Sequence, residues 1–260
     1  MEIIQSIILG AVQGITEFLP ISSSGHLLIF PQVLGWKEQG IEFDAAVHLA
    51  TLAAVFFYFW KDLKKIAVEK TSRRLGWIIL AGSVPAFVIG FLIKNAPEDP
   101  FRSNLVAIIS LIGWGMVMYL VDAFYKNPKT TAAVSAVSMK QGIYIGLAQA
   151  FALIPGTSRS GITMTAGLAE GLDRSTAARF SFLLGIPTIA AAGGLAVLDL
   201  LTAGAGWTNI LNAGIGLITA FITGYFSIKF MLGFLQKHGL WPFALYRVLL
   251  GAVLIYLLVL

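Results

Sequence analysis

Apolar positions in this chain come in long runs, and polar positions gather in short clusters between them. The runs are "AAVHLATLAAVFFYFW" (45–60), "LGWIILAGSVPAFVIGFLI" (75–93), "NLVAIISLIGWGMVMYLV" (104–121), "FSFLLGIPTIAAAGGLAVL" (180–198), "ILNAGIGLITAFITGYFSIKFML" (210–232) and "ALYRVLLGAVLIYLLVL" (244–260). Each approaches the roughly 20 apolar residues that an α-helix needs to cross hydrocarbon. Two further stretches, 1–36 and 141–172, are apolar but are interrupted by Pro, Gly and Ser. The pattern predicts an all-α polytopic membrane protein.

Composition agrees. Only 12% of residues are charged and 57% are hydrophobic, against about 25% charged in a soluble domain, and the mean hydropathy is +0.83. The 27 glycines, many within the runs, suit close helix packing in lipid. The absence of cysteine excludes disulfides and thiol chemistry. The start, "MEIIQSIILGAVQG", carries no Lys or Arg and so does not read as a secretory leader. The net charge of +5 reads as membrane topology, with no nucleic-acid partner.

Lys and Arg mark the cytoplasmic loops. They gather at Lys61, Lys64, Lys65, Lys70, Arg73 and Arg74, at Lys126, Lys129 and Lys140, at Arg174 and Arg179, and at Lys237. The other connections hold Lys37, then Lys94 and Arg102, and none in 199–207. These groups alternate across a membrane only if 1–36 and 141–172 each enter and leave on one side. The expectation is six transmembrane helices plus two re-entrant helical hairpins, with both termini outside the cytoplasm.

An internal repeat strengthens this reading. A shift of 136 residues lays "GAVQGITEFLPISSSG" (10–25) over "GLAQAFALIPGTSRSG" (146–161) without a gap. Gly10/Gly146, Gln13/Gln149, Ser22/Ser158, Ser24/Ser160 and Gly25/Gly161 are identical. Each copy is followed by three spans, an odd number, so the copies have inverted topology. The chain reads as one membrane domain, residues 1–260, with repeat 1 about 1–125 and repeat 2 about 141–260. Inverted repeats with broken helices commonly build a site near the bilayer midplane.

Each hairpin is read as a helix broken at Pro20 or Pro155, then restarted after a Ser-rich turn. A helix N-terminus offers free N–H groups and a positive dipole end to an anion. Arg159 adds a fork suited to phosphate, and Ser22, Ser24, Gly156, Thr157, Ser158 and Ser160 are candidate phosphate contacts. The first hairpin carries Glu17, Ser23 and His26, acid–base and nucleophile candidates whose placement in apolar sequence is costly. Gln13 and Gln149 read as hydrogen-bond links between helices, His48 as structural, Asp44 as a cap, and Lys229 and Arg247 as snorkelling side chains. A P-loop motif and a cysteine nucleophile are both missing.

"QGITEFLPISSSGH", "PGTSRSG" and "WPFALYR" (241–247) together resemble the undecaprenyl-pyrophosphate phosphatase family, the bacitracin-resistance type, over the whole chain. The resemblance implies an enzyme of the cytoplasmic membrane that removes the terminal phosphate of undecaprenyl pyrophosphate. It also implies a divalent metal, Mg²⁺ or Ca²⁺, and a site open to the extracytoplasmic side. By position, Glu17, Ser23, His26 and Arg159 match the family's catalytic and pyrophosphate-binding residues. Gln13 departs from the glutamate of many members; it and Glu17 would be the metal ligands.

The expected partners are a polyprenyl pyrophosphate and membrane lipid, with a homodimer as the assembly considered. His26 would deprotonate Ser23 or a water, or itself attack, and the residues leave these alternatives open. A secondary transporter or flippase for a phosphorylated lipid is the alternative, since carriers share this construction.

Overall fold

The computed structural model describes residues 2–37, 41–94, 101, 103–125, 133–202 and 210–258. Among these, eleven α-helices and two single 3₁₀ turns account for the regular structure, with no strand. The helices are α1 (Ile3–Phe18), α2 (Ser23–Val33), α3 (Ile41–Tyr58), α4 (Trp60–Val68), α5 (Lys70–Lys94), α6 (Asn104–Phe124), α7 (Met139–Ala150), α8 (Arg159–Ala169), α9 (Arg174–Thr202), α10 (Ile210–Phe234) and α11 (Trp241–Leu258). Five of them, α5, α6, α9, α10 and α11, are long and apolar enough to cross a membrane. The pair α3 and α4, bent by 72°, makes six. All six apolar runs are therefore helical.

Outward faces of these helices carry Phe57, Trp77, Phe91, Phe124, Phe226 and Tyr256, all exposed. Apolar surface on this scale suits lipid contact rather than water. The protein is a multi-pass membrane protein.

The segment 61–74, expected as a loop, is helical: α4 and the first turn of α5 occupy it. Asp62 stands in the first turn of α4 and Lys65 in its last, which suits the helix dipole. Leu63 and Ile66 pack against the main core, so the apolar side of α4 is seated while its lysines face outward. Lys126, Lys129, Arg102 and most of 199–207 lie outside the described residues.

A shift of 136 residues carries α1 onto α7, α2 onto α8, α3 onto α9, α5 onto α10 and α6 onto α11. The packing follows the same correspondence. α1 lies against α10 as α7 lies against α5, and α3 against α10 as α9 against α5. α3 packs on α9 and α6 on α11, each helix against its own counterpart. Glycines permit the closest approaches: a Cβ on Gly10 would meet the Gly216 carbonyl at 2.6 Å, and Gly146 sits still more tightly on Gly82. The core around the tips is aromatic, with Phe18 and Phe182 edge to face at 5.5 Å.

Candidate active site

The two helix pairs, α1–α2 and α7–α8, each turn at a tip, and the tips are built alike. α1 ends at Phe18 and Leu19 is extended, φ −72° and ψ 143°. α7 ends at Ala150, and after a 3₁₀ turn Ile154 is extended, φ −78° and ψ 120°. Leu19 and Ile154 precede Pro20 and Pro155, whose rings disfavour the helical conformation of the residue before them. α2 and α8 then restart behind Ser22 and Ser158. These are the two non-glycine residues with positive φ among those described, 74° and 72°. Each Ser Oγ accepts the N–H three residues on, from Gly25 at 3.3 Å and from Gly161 at 3.1 Å. This N-cap bond holds a backbone conformation that serine otherwise avoids.

The first helical residue after each cap is Ser23 in one tip and Arg159 in the other, positions related by the 136-residue shift. They meet at Glu17. Ser23 Oγ donates to Glu17 Oε2 at 2.8 Å, and Arg159 Nη2 donates to Glu17 Oε1 at 2.8 Å. Arg159 Nη1 also donates to the Ser181 carbonyl at 3.1 Å. Gly185 on α9 makes room for the guanidinium: a Cβ there would lie 2.6 Å from Arg159 Cζ. Ser181 is further held by Thr163, hydroxyl to hydroxyl at 2.6 Å. Gly185, Ser181 and Thr163 were invisible as site residues in the sequence, because small and hydroxylic residues on apolar helices have no signature of their own.

His26 is not joined to this cluster. Its Nδ1 bonds the Ser22 carbonyl at 2.7 Å and its Nε2 bonds Tyr246 Oη at 2.8 Å, with the two rings near parallel. Both ring nitrogens of His26 are thus engaged away from Ser23, whose hydroxyl donates to Glu17. An imidazole whose Nδ1–H is donated to a carbonyl offers Nε2 as an acceptor, and Tyr246 fills it. Tyr246 was not singled out in the sequence beyond its place in "WPFALYR".

Of the other polar residues, Arg247 and Gln13 depart from expectation. Arg247 does not snorkel: it is 1% exposed and bonds the carbonyls of Leu111, Pro20, Ser110 and Gly156. Broken helices leave carbonyls without intrahelical partners, and the sequence alone does not show that two such breaks lie beside this residue. Asp44 is the fourth residue of α3, and the chain just before that helix lies outside the described residues. Gln13 bonds Glu17 on its own helix at 3.1 Å, whereas Gln149 reaches Thr188 on α9 at 3.5 Å. His48 bonds the Asp44 carbonyl one turn back at 2.8 Å, and Lys229 is exposed on α10.

Among the candidate phosphate contacts, Ser22 and Ser158 are engaged as caps, and Ser160 Oγ donates to the Leu19 carbonyl across the tips at 3.1 Å. The Gly156 carbonyl bonds Arg247. Ser24 is exposed. Thr157 is fully buried, and its Oγ1 has no hydrogen-bond partner; the same holds for Gln13 Oε1. Glu17 accepts only, so its bond from Gln13 Nε2 fixes the amide and leaves Oε1 as the open acceptor. Buried polar atoms without partners are uncommon, and these two adjoin the cluster in sequence: Gln13 one turn before Glu17, Thr157 two residues before Arg159.

No group of three or more His, Asp or Glu placed to hold a metal occurs among the described residues. The donors fit an ion shared with a substrate, as Mg²⁺ is often bound through one or two carboxylates and phosphate oxygens. Glu17 supplies a carboxylate, and Gln13 Oε1 an unpaired oxygen. The balance of charge points the same way: Arg159 and Glu17 neutralise each other, so a bound polyanion needs further positive charge.

Fold and site together define a class: a multi-pass helical membrane protein with an Arg–carboxylate–Ser cluster between two broken helices. Residues 6–253 match the family described as Bacitracin resistance protein BacA, and the chain belongs to that family. It is 45% identical to undecaprenyl-diphosphatase 2 of Stutzerimonas stutzeri (strain A1501), across 99% of this chain and 98% of the relative. It is also 45% identical to the undecaprenyl-diphosphatase of Alteromonas mediterranea, across 98% of each. With that of Caldicellulosiruptor bescii it shares 42%, across 98% of this chain and 97% of the relative.

Proposed function

We propose that this chain is an undecaprenyl-diphosphatase. It hydrolyses undecaprenyl pyrophosphate to undecaprenyl phosphate and inorganic phosphate, and so recycles the carrier lipid of cell-wall synthesis. The observation that carries the mechanism is the meeting of Ser23 and Arg159 on the two oxygens of Glu17.

Glu17 is placed to take the Ser23 proton. The freed Oγ attacks the terminal phosphorus, the bond from that phosphorus to the bridging oxygen breaks, and the electron pair leaves with undecaprenyl phosphate. Glu17 returns the proton to the leaving phosphate. It then takes a proton from water, whose oxygen attacks the phosphoserine, and gives that proton to Oγ as the bond from phosphorus to Ser23 breaks and inorganic phosphate leaves. Arg159 stabilises the charge on the transferring phosphoryl group, the main demand of phosphoryl transfer. The open hydroxyl of Thr157 and the first N–H groups of α2 and α8 complete the anion contacts. A divalent ion, Mg²⁺ or Ca²⁺, would be held by Glu17 and Gln13 and would supply neutralising charge. His26, with both nitrogens engaged away from Ser23, braces the first tip and does not act as its base.

Under this reading the enzyme lies in the cytoplasmic membrane with α1–α2 and α7–α8 re-entrant. Both termini and the mouth of the site face outside, supported by the basic residues at α4, α5 and the start of α9 on the opposite side.

The purified protein in detergent should release phosphate from a polyprenyl pyrophosphate, and less of it with chelator. Ser23→Ala and Arg159→Ala should each abolish release while the protein stays folded. A carrier for phosphorylated lipid has no reaction to perform in detergent, so absence of phosphate release from the wild type would overturn the assignment. Near-normal turnover of Ser23→Ala would move the nucleophile to water.

A further inference from the structure

The mechanism above leaves the most deeply buried arginine unused. Arg247, the seventh residue of α11, is 1% exposed and makes four hydrogen bonds, all to backbone carbonyls. Its Nε donates to Leu111 at 3.1 Å and its Nη2 to Ser110 at 3.4 Å, both on α6. Its Nη1 donates to Pro20 at 3.4 Å in the first tip, and its Nη2 to Gly156 at 2.9 Å in the second.

These partners are not a random set. The shift of 136 residues that relates the two halves carries Leu111 onto Arg247 and Pro20 onto Gly156. Arg247 therefore bonds the carbonyl of its own counterpart and the same carbonyl from each tip. A side chain with those partners lies where the two halves meet. Only one residue can occupy that place, so one half supplies Arg and the other Leu.

The surroundings are shaped for it. A Cβ on Gly115 of α6 would stand 3.1 Å from Arg247 Cβ, and one on Gly161 would stand 3.0 Å from its Nη1. The tips also touch directly there: a Cβ on Gly25 would lie 3.6 Å from Gly156 Cα, and Ser160 Oγ bonds the Leu19 carbonyl. Pro20 lies three residues from both Glu17 and Ser23, and Gly156 lies three residues before Arg159. A planar guanidinium with donors fixed in a fork can hold two loops at one separation. At 1% exposure, Arg247 leaves no room for water to take over these bonds.

We propose that Arg247 is the positioning residue of this enzyme: it sets the spacing of the two tips and thereby brings Ser23 and Arg159 together on Glu17. The catalytic consequence rests on the function proposed above, whereas the spacing does not.

The chain has no cysteine, so nitroxide labels at Leu34→Cys, at the end of α2, and Ala169→Cys, at the end of α8, report the tip-to-tip geometry by electron paramagnetic resonance. Both positions are exposed. With wild-type Arg247 the distance distribution should be single and narrow; Arg247→Met should broaden it. In the unlabelled protein kcat should fall about a hundredfold, as for a misplacement near 1 Å, with KM changed much less. Arg247→Lys, able to reach one tip, should fall between. A folded Arg247→Met with an unchanged distribution, or with wild-type kcat, overturns the proposal. Should Arg247→Met fail to fold, Gly115→Ala decides, because its methyl group presses on Arg247 from α6 without touching a tip. A shifted distribution with severalfold lower kcat supports the clamp; no change in either overturns it. If the wild type hydrolyses no pyrophosphate, the functional reading fails and the label distances alone test the clamp.

Discussion

At the scale of single residues, the proposed mechanism depends on equivalent positions in the two halves carrying different chemistry. Ser23 and Arg159 are both the first helical residue after a serine cap, and Glu17 stands opposite Leu153 in the other half. Room had to be made for the larger of the two side chains. Gly185 provides it, where the counterpart position holds Leu49. Gly185→Ala should displace the guanidinium from Glu17 and lower kcat by roughly tenfold to a hundredfold while leaving thermal stability near that of the wild type; equal kcat would show that Arg159 has slack. Gln13→Glu tests the metal reading. It replaces the amide that donates to Glu17 with a second carboxylate, and two adjacent carboxylates repel unless a cation lies between them. Activity should therefore be kept or raised with Mg²⁺ and become more sensitive to chelator. Loss of activity at saturating metal would exclude Gln13 as a ligand position.

At the scale of elements, each tip depends on a backbone that few residues adopt. Ser22 and Ser158 tolerate positive φ because their hydroxyls close a cap. Gly156, at φ +86°, is pressed against the Ala107 carbonyl of α6, and only glycine both adopts that φ freely and fits that contact. Gly156→Ala should cost about 1–3 kcal/mol for the backbone alone, and more for the contact. It should therefore lower the thermal midpoint and abolish phosphate release together. A variant with unchanged midpoint would show that the tip relaxes more readily than its packing implies.

At the scale of the whole molecule, the orientation proposed above rests on the distribution of charge. Lys61, Lys64, Lys65, Lys70, Arg73 and Arg74 crowd one end of the helices, together with Arg174, which binds Asp122 through Nε and Nη2 at 3.0 and 2.8 Å. The cysteine-free chain allows the sidedness to be read directly. In intact cells a membrane-impermeant thiol reagent should label Leu34→Cys and not Lys64→Cys; the reverse pattern would invert the topology and place the site on the cytoplasmic side.

Much of this was legible in the chain itself. The six apolar runs are all helices, because apolar length is the requirement that a membrane imposes and the one a sequence displays most plainly. The caps at Ser22 and Ser158 are local, formed by bonds three residues apart, and a short stretch of sequence carries them. Glu17 and Arg159 could be named from their cost in apolar surroundings, and Ser23 from the motif that holds it. Their partners could not. Ser23 turns to Glu17 instead of His26, Tyr246 closes the imidazole, Gly185 shapes the guanidinium pocket, and Arg247 holds both tips instead of snorkelling. These outcomes join groups as many as 227 residues apart. They depend on where broken helices leave carbonyls unpaired and on which faces of α6, α9 and α11 come to lie beside them, and only the packed helices decide that.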